Sequence, residues 1–250
     1  MASLDSVRQK IFRAAEHFKA LETELERYFE THPGEVVREP DNSSNLVPLR
    51  FRAKKPVPAK LPLIIGDCLQ NVRSSLDYLV WELVLAAGNQ PTQQNMFPIC
   101  DSPEGFNVQL ERRRLDGVSP EAVAEIEGFQ PYHHGQNWKS NALFVLDNLC
   151  NINKHRRVLL TDLGMTAMQA KEVVIEGIPY IETTIPMTDQ DTQIGFVDAG
   201  TNQVQVEGHL FAFIKFNEGA AQGKEITTCL NAILWHVNEH IVPRFERFFR

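Results

Sequence analysis

Residues 60–89 read KLPLIIGDCLQNVRSSLDYLVWELVLAAGN. Ile65, Leu69, Val72, Leu76, Leu79 and Leu83 recur at three- and four-residue spacing, the period of a helix with one apolar side. Pro62 suits the first turn, and Gly88-Asn89 supplies a stop. The spacing predicts a helix over 60–87. So long an apolar stripe needs long partners. Leu4, Val7, Ile11, Phe18, Leu21, Leu25 and Tyr28 predict one over 3–31, capped by Ser3 or Asp5 and stopped by Thr31-His32-Pro33-Gly34. Others are expected from about 139 to 156 and over 222–242, where Pro243 breaks or kinks the pattern.

Between these helices the periodicity changes. Residues 33–45 are turn-rich. In 46–54, Leu49, Phe51 and Ala53 alternate with Arg50, Arg52 and Lys54, as in a strand with a basic outer face. That face reads either as an anion-attracting patch or as an edge strand protected by charge. Ser102-Pro103 and Ser119-Pro120 begin short helices over 102–114 and 119–128, and 129–138 reads as loop. Residues 171–216 are rich in Val, Ile, Thr and Phe, with expected strands at 171–176, 180–185, 193–198, 202–207 and 209–216. This order lacks the strand–helix alternation of a doubly wound sheet. The expectation is an α+β fold: a bundle of long helices with a small antiparallel sheet inserted before the C-terminal helix. The strand at 46–54 is placed to join that sheet. The reading is one domain over 1–250, helical in about 1–160 and 222–250, β-rich in about 46–54 and 171–216.

Composition narrows the function classes. Of 250 residues, 43% are hydrophobic and 23% charged, which excludes a disordered chain or a rod. A net charge of -7 excludes a polycation that coats nucleic acid through its overall charge. Cys68, Cys100, Cys150 and Cys229 form no CxxC or CxxH pair and read as free buried thiols. MASLDSVRQK has no apolar signal core, and no stretch approaches the ~20 apolar residues of a membrane span. The expectation is a cytoplasmic protein with no membrane partner.

Two helices carry unusual polarity. At 100° per residue, Arg73 and Asp77 lie about 100–140° from Val72, and their spacing lets guanidinium and carboxylate meet. Asp67, Asn71, Ser74, Tyr78 and Trp81 fall opposite the apolar stripe. Aromatic residues on that face point to a second contact: another layer, a homodimer partner or a ligand groove. In the helix near 150, Ala142, Val145, Leu146, Leu149 and Ile152 form the apolar side. Asp147, Asn148, Asn151, Lys154 and His155 occupy the rest. Lys154, His155, Arg156 and Arg157 suit a helix C-terminus, where the dipole favours cations, or an anion site. The candidate binding residues are Asp77, Asn71, Asp147, Asn151, Lys154 and Arg156. The candidate catalytic residues are Arg73, His155 and Tyr78.

LQNVRSSLDYLVWEL (69–83) and LDNLCNINKHRRVLL (146–160), with FPI (97–99) and FQPYH (129–133) between them, resemble an uncharacterised family of bacterial proteins. More distantly, Arg73 followed by a polar helix face resembles the HEPN superfamily. That resemblance implies a helical bundle, often dimeric, and a metal-independent ribonuclease of toxin and defence systems. The superfamily motif is an Arg, four to six residues and a His on one helix. The positions carried over are Arg73 and Tyr78, with Tyr78 where the His would stand. A phenol with a pKa of about 10 is a poor acid–base group at neutral pH. His155 supplies that function only if its helix neighbours Arg73.

Other motifs carry less. Tyr132-His133-His134 has no third ligand at a recognisable spacing, and HVNEH (236–240) lacks the HExxH order. Neither predicts a metal site. No GxGxxG, P-loop or nucleophile elbow occurs, and no cofactor is expected. Two functions stand. One is a binding or scaffold module with an Arg/Asp/Lys/His network. The other is a HEPN-like ribonuclease acting on RNA, with RNA or another anionic ligand as partner.

Overall fold

A computed structural model of the chain describes residues 2–38, 46–155, 161–167, 173–175, 178–180, 191–198, 204–205 and 210–249. The protein is mostly helical, with short antiparallel strands. Helix α1 (Asp5–Glu30) is followed by β1 (Gly34–Arg38) and β2 (Leu46–Ala53). Helix α2 (Lys60–Ala86) precedes α3 (Pro103–Glu111), α4 (Pro120–Gly128) and α5 (Ala142–His155). Strands β3 (Thr161–Ala167), β4 (Val173–Ile175), β5 (Ile178–Tyr180), β6 (Asp191–Asp198), β7 (Val204–Gln205) and β8 (Leu210–Phe216) come next. Helices α6 (Ile226–Trp235) and α7 (Val242–Phe245) follow, and a 3-10 turn, Glu246–Phe249, comes last among the described residues.

The apolar stripes pack together. Helix α1 makes its most extensive contact with α2, which also meets α5, and α6 touches α1, α5 and β8. Ile65, Leu69, Leu76 and Leu83 of α2 join Leu21 of α1, Leu146 of α5, Phe216 of β8 and Ile233 of α6 in one continuous core. Each such side chain contributes about 1.5–3 kcal/mol by leaving water. Among the described residues, no helix is long and apolar enough to cross a membrane.

Local chemistry sets the helix ends. Gly88, at φ +78°, closes α2 in the left-handed region, and the Asn89 N–H returns to the Val84 carbonyl across 3.1 Å. The Ser102 and Ser119 hydroxyls accept from Gly105 N at 3.1 Å and Ala122 N at 3.3 Å, capping α3 and α4 as expected. Helix α5 starts later than periodicity suggests because Asn141 is its cap, accepting from Leu143 N at 2.8 Å. The segment read as loop before it is 3-10 helical over Pro131–Ser140, kinked at Gly135. The last helix does not stop at Pro243. A π-helical turn, His236–Ile241, leads into α7. Pro243 cannot donate to the carbonyl four residues back, and the wider turn makes room for its ring.

The strands depart further from expectation. Among the described residues they form three small antiparallel sheets, β1-β2-β6, β3-β8 and β5-β4-β7, where one was expected. The strand at 46–54 does pair with the later β-rich segment, through β6, with a register shift between Leu49 and Arg50. Strands β1 and β3 were not expected. GEVVR sits in a turn-rich stretch and becomes a strand by pairing Val36 with Phe51. Residues 161–167 pair with β8, which falls within the strand expected at 209–216.

Candidate functional site

The two polar helices are neighbours. Gly66 permits their approach: a Cβ there would lie 2.8 Å from Asn153 Nδ2 on α5. The Cys150 thiol faces the Leu69 carbonyl across 3.7 Å. The polar sides of α2 and α5 then share one electrostatic neighbourhood, in which Arg73, Lys154 and Asp147 all act on Asp77.

At its centre, Arg73 and Asp77 grip one residue of an irregular segment. Arg73 Nη2 donates to Asp77 Oδ1 at 3.0 Å and to the Phe97 carbonyl at 2.6 Å. Asp77 Oδ1 accepts from Phe97 N at 3.0 Å. One i,i+4 pair thus satisfies both main-chain groups of Phe97, whose ring is fully buried. Three residues on, the buried Gln130 amide does the same work. Its Oε1 accepts from Cys100 N at 2.8 Å, and its Nε2 donates to the Pro98 and Ile126 carbonyls at 3.0 Å. Residues 97–100 are held by side chains where strands would use a ladder.

Arg73 is only 7% exposed, and its Nη1 is buried without a hydrogen-bond partner. Burial raises the Asp77 pKa from its ordinary value, against the opposing pull of Arg73, the Phe97 N–H and Lys154. Burial likewise pushes the Cys68 and Cys150 thiols up to about 12, so neither is a thiolate at neutral pH.

The other candidates divide. Tyr78 is 42% exposed, and its five-residue offset from Arg73 turns it about 140° round α2. The two therefore do not converge on a common point. Asn71 Nδ2 donates back to the Asp67 carbonyl at 2.8 Å, and Asn151 Nδ2 to Asp147 Oδ2 at 2.9 Å. Lys154 is exposed on the last turn of α5. His155 ends that helix, and its side chain, like Arg156, lies outside the described residues.

A groove opens beside Asp77. Ser6, Asp77, Tyr78, Trp81, Glu82 and Asn95 line a space of about 420 Å³. Trp81 is 45% exposed. Glu82 accepts from Ser3 N at 3.0 Å and from the Ser6 hydroxyl at 3.1 Å, joining α2 to the start of α1. Asn95 is locked by donating to the Asp116 carbonyl at 3.0 Å and accepting from Thr92 N at 2.7 Å. The Lys10 ammonium lies over the Tyr78 ring, 5.4 Å from its centroid. Ser6, Glu82, Asn95, Phe97 and Gln130 were not singled out in the sequence. Phe97 and Gln130 do fall within the FPI (97–99) and FQPYH (129–133) strings.

Elsewhere, the basic stretch is partly neutralised within the chain. Lys54 pairs with Glu35 at 2.5 Å, Lys60 pairs with Glu24, and Lys55 donates to the Thr31 carbonyl at 2.8 Å. Among the described residues, no group of three His, Cys, Asp or Glu side chains could hold a metal ion. Comparison of the chain with family models, curated proteins and solved structures returns no match.

Proposed function

We propose that the protein is a binding module on a helical bundle, with the Arg73–Asp77 pair as a structural clamp that shapes an adjoining ligand groove. The observation that carries this reading is the commitment of Arg73: its guanidinium is buried and bonded to the Phe97 carbonyl and Asp77. A cation for a phosphorane charge needs donors free to meet substrate. The asparagines of the second polar helix have comparable employment. Asn148 accepts from Ala220 N at 2.8 Å, and Asn153 abuts Gly66. By contrast, the groove offers exposed aromatic faces beside fixed carboxylates, as ligand sites do.

Incubation with single-stranded RNA tests this against the ribonuclease reading. Wild-type protein leaves RNA intact, and Arg73→Ala lowers the unfolding midpoint. RNA cleavage by wild type that is lost in a folded Arg73→Lys variant overturns the binding reading.

A further inference from the structure

We propose that the groove between α1 and α2 binds an organic ammonium ion carried on a compact apolar body. This inference rests on the binding-module reading and adds the charge and chemical class of the ligand. Several observations point the same way. The groove is lined by two carboxylates, Asp77 and Glu82, while the neighbouring cations are already engaged, Arg73 with Asp77 and Phe97 and Lys10 over the Tyr78 ring. The net charge of -7 favours the approach of cations over anions. Both hydrogen bonds to Asp77 use Oδ1, which leaves Oδ2 able to accept from or face a cation.

The walls supply the second half of the recognition. Tyr78 and Trp81 are each nearly half exposed, on successive turns of α2. Their ring faces attract ammonium groups, Trp more strongly than Tyr. The protein already makes this contact internally: Lys10 lies over Tyr78, which leaves Trp81 as the ring that meets a ligand cation. The aromatic surface also excludes water from an apolar body attached to the cation. A bare divalent ion is a poorer occupant, because the oxygens of Glu82 are engaged by Ser3 and Ser6, Asn95 Oδ1 is taken by Thr92 N, and Asp77 Oδ1 is taken by Arg73 and Phe97 N, short of the six or more oxygens such an ion collects.

The groove is also held open before any ligand arrives. Asn95 is fixed by Thr92 and by the Asp116 carbonyl beyond α3, Glu82 by α1 and Asp77 by the Phe97 clamp. Preorganised walls lose little freedom on binding, so a weak contact suffices for measurable affinity.

Choline and its neutral isostere 3,3-dimethylbutan-1-ol separate the cation from its shape, and 3,3-dimethylbutanoate reverses the charge. Titration calorimetry with the full chain reads affinity, and the Trp81 indole N–H resonance, assigned with Trp81→Leu, reads location. Choline is expected to bind about tenfold more tightly than the alcohol, to shift that resonance, and to lose about fivefold in affinity in folded Trp81→Leu. Equal or tighter binding of the alcohol or the butanoate, with the same Trp81 dependence, overturns the ammonium assignment while the groove remains a binding site. Choline binding that ignores Trp81→Leu overturns the location. No binding by any of the three probes overturns the assignment and removes the support for the groove as a ligand site.

Discussion

Arg73 Nη2 donates to the Phe97 carbonyl across 2.6 Å, while the Phe97 N–H donates to Asp77, the residue one helical turn beyond Arg73. Two charged side chains on α2 thereby stand in for the neighbouring strand that the 97–100 segment lacks. The Phe97 ring is fully buried, and the segment leads directly into the wall of the groove at Asn95.

Arg73→Met should lower stability by about 2–3 kcal/mol. Removing one partner of a buried pair leaves the other uncompensated, at a cost of about 3–5 kcal/mol. The discount reflects Asp77, whose side chain keeps 30% of its exposure to water. Adding Asp77→Leu should restore part of the loss, because no buried charge then remains. Urea unfolding of the two variants measures this. A double variant less stable than Arg73→Met would show that Asp77 acts chiefly through the Phe97 amide.

Gln130→Leu should cost about 2 kcal/mol, chiefly the desolvation penalty of the Cys100 N–H and the Pro98 carbonyl left without the Gln130 amide. Cys100 N, Pro98 O and Ile126 O each lose a hydrogen bond. Amide exchange localises the effect: the Cys100 N–H should exchange much faster, while amides in the middle of α1 keep their protection. Unchanged exchange at Cys100 would contradict the clamp at this position.

Gly219 and Gly223 form a matched pair. Both have positive φ, +74° and +78°. A Cβ at Gly219 would lie 2.6 Å from Ile152 Cδ1 and 2.7 Å from Asn148 Oδ1, whereas the space at Gly223 is open. Gly223→Ala should cost only the left-handed backbone penalty of about 1–2 kcal/mol. Gly219→Ala should cost at least about 1 kcal/mol more, because it also displaces the Asn148–Ala220 bond. Equal thermal shifts for the two variants would mean that α5 does not hold this turn tightly.

Stability should also fall on acidification below about pH 6.5. Burial, reinforced by His240 and His134, holds the His236 pKa below its ordinary value. Its Nε2 is buried without a partner. Between the lowered folded value and the unfolded one, the unfolded chain binds the proton and the folded protein does not, so stability rises with pH through that window. Melting temperatures from pH 7.5 down to pH 5 should drop more steeply in wild type than in His236→Gln. Parallel curves would remove His236 as a source of the slope.

The helices were legible because their signals are local. Stripes such as Ile65-Leu69-Val72-Leu76 repeat within one turn, and Ser102, Ser119 and Gly88 act on amides or carbonyls a few residues away. The Arg73–Asp77 contact was legible for the same reason, since a single helical turn brings the two together. Sheet pairing was not. GEVVR becomes a strand only because LRFRA lies beside it, and no pattern within GEVVR announces that neighbour.

The groove and the clamp belong to the second class. Sequence spacing put Tyr78 and Trp81 on an outward face but could not say that Ser6 and Asn95 would meet them there. Nor could it turn Arg73 inward to a carbonyl 24 residues away. Helical period is a property of a short run of backbone. The enclosure of a guanidinium, and hence whether it meets a ligand or the chain itself, depends on which distant segments fold over it.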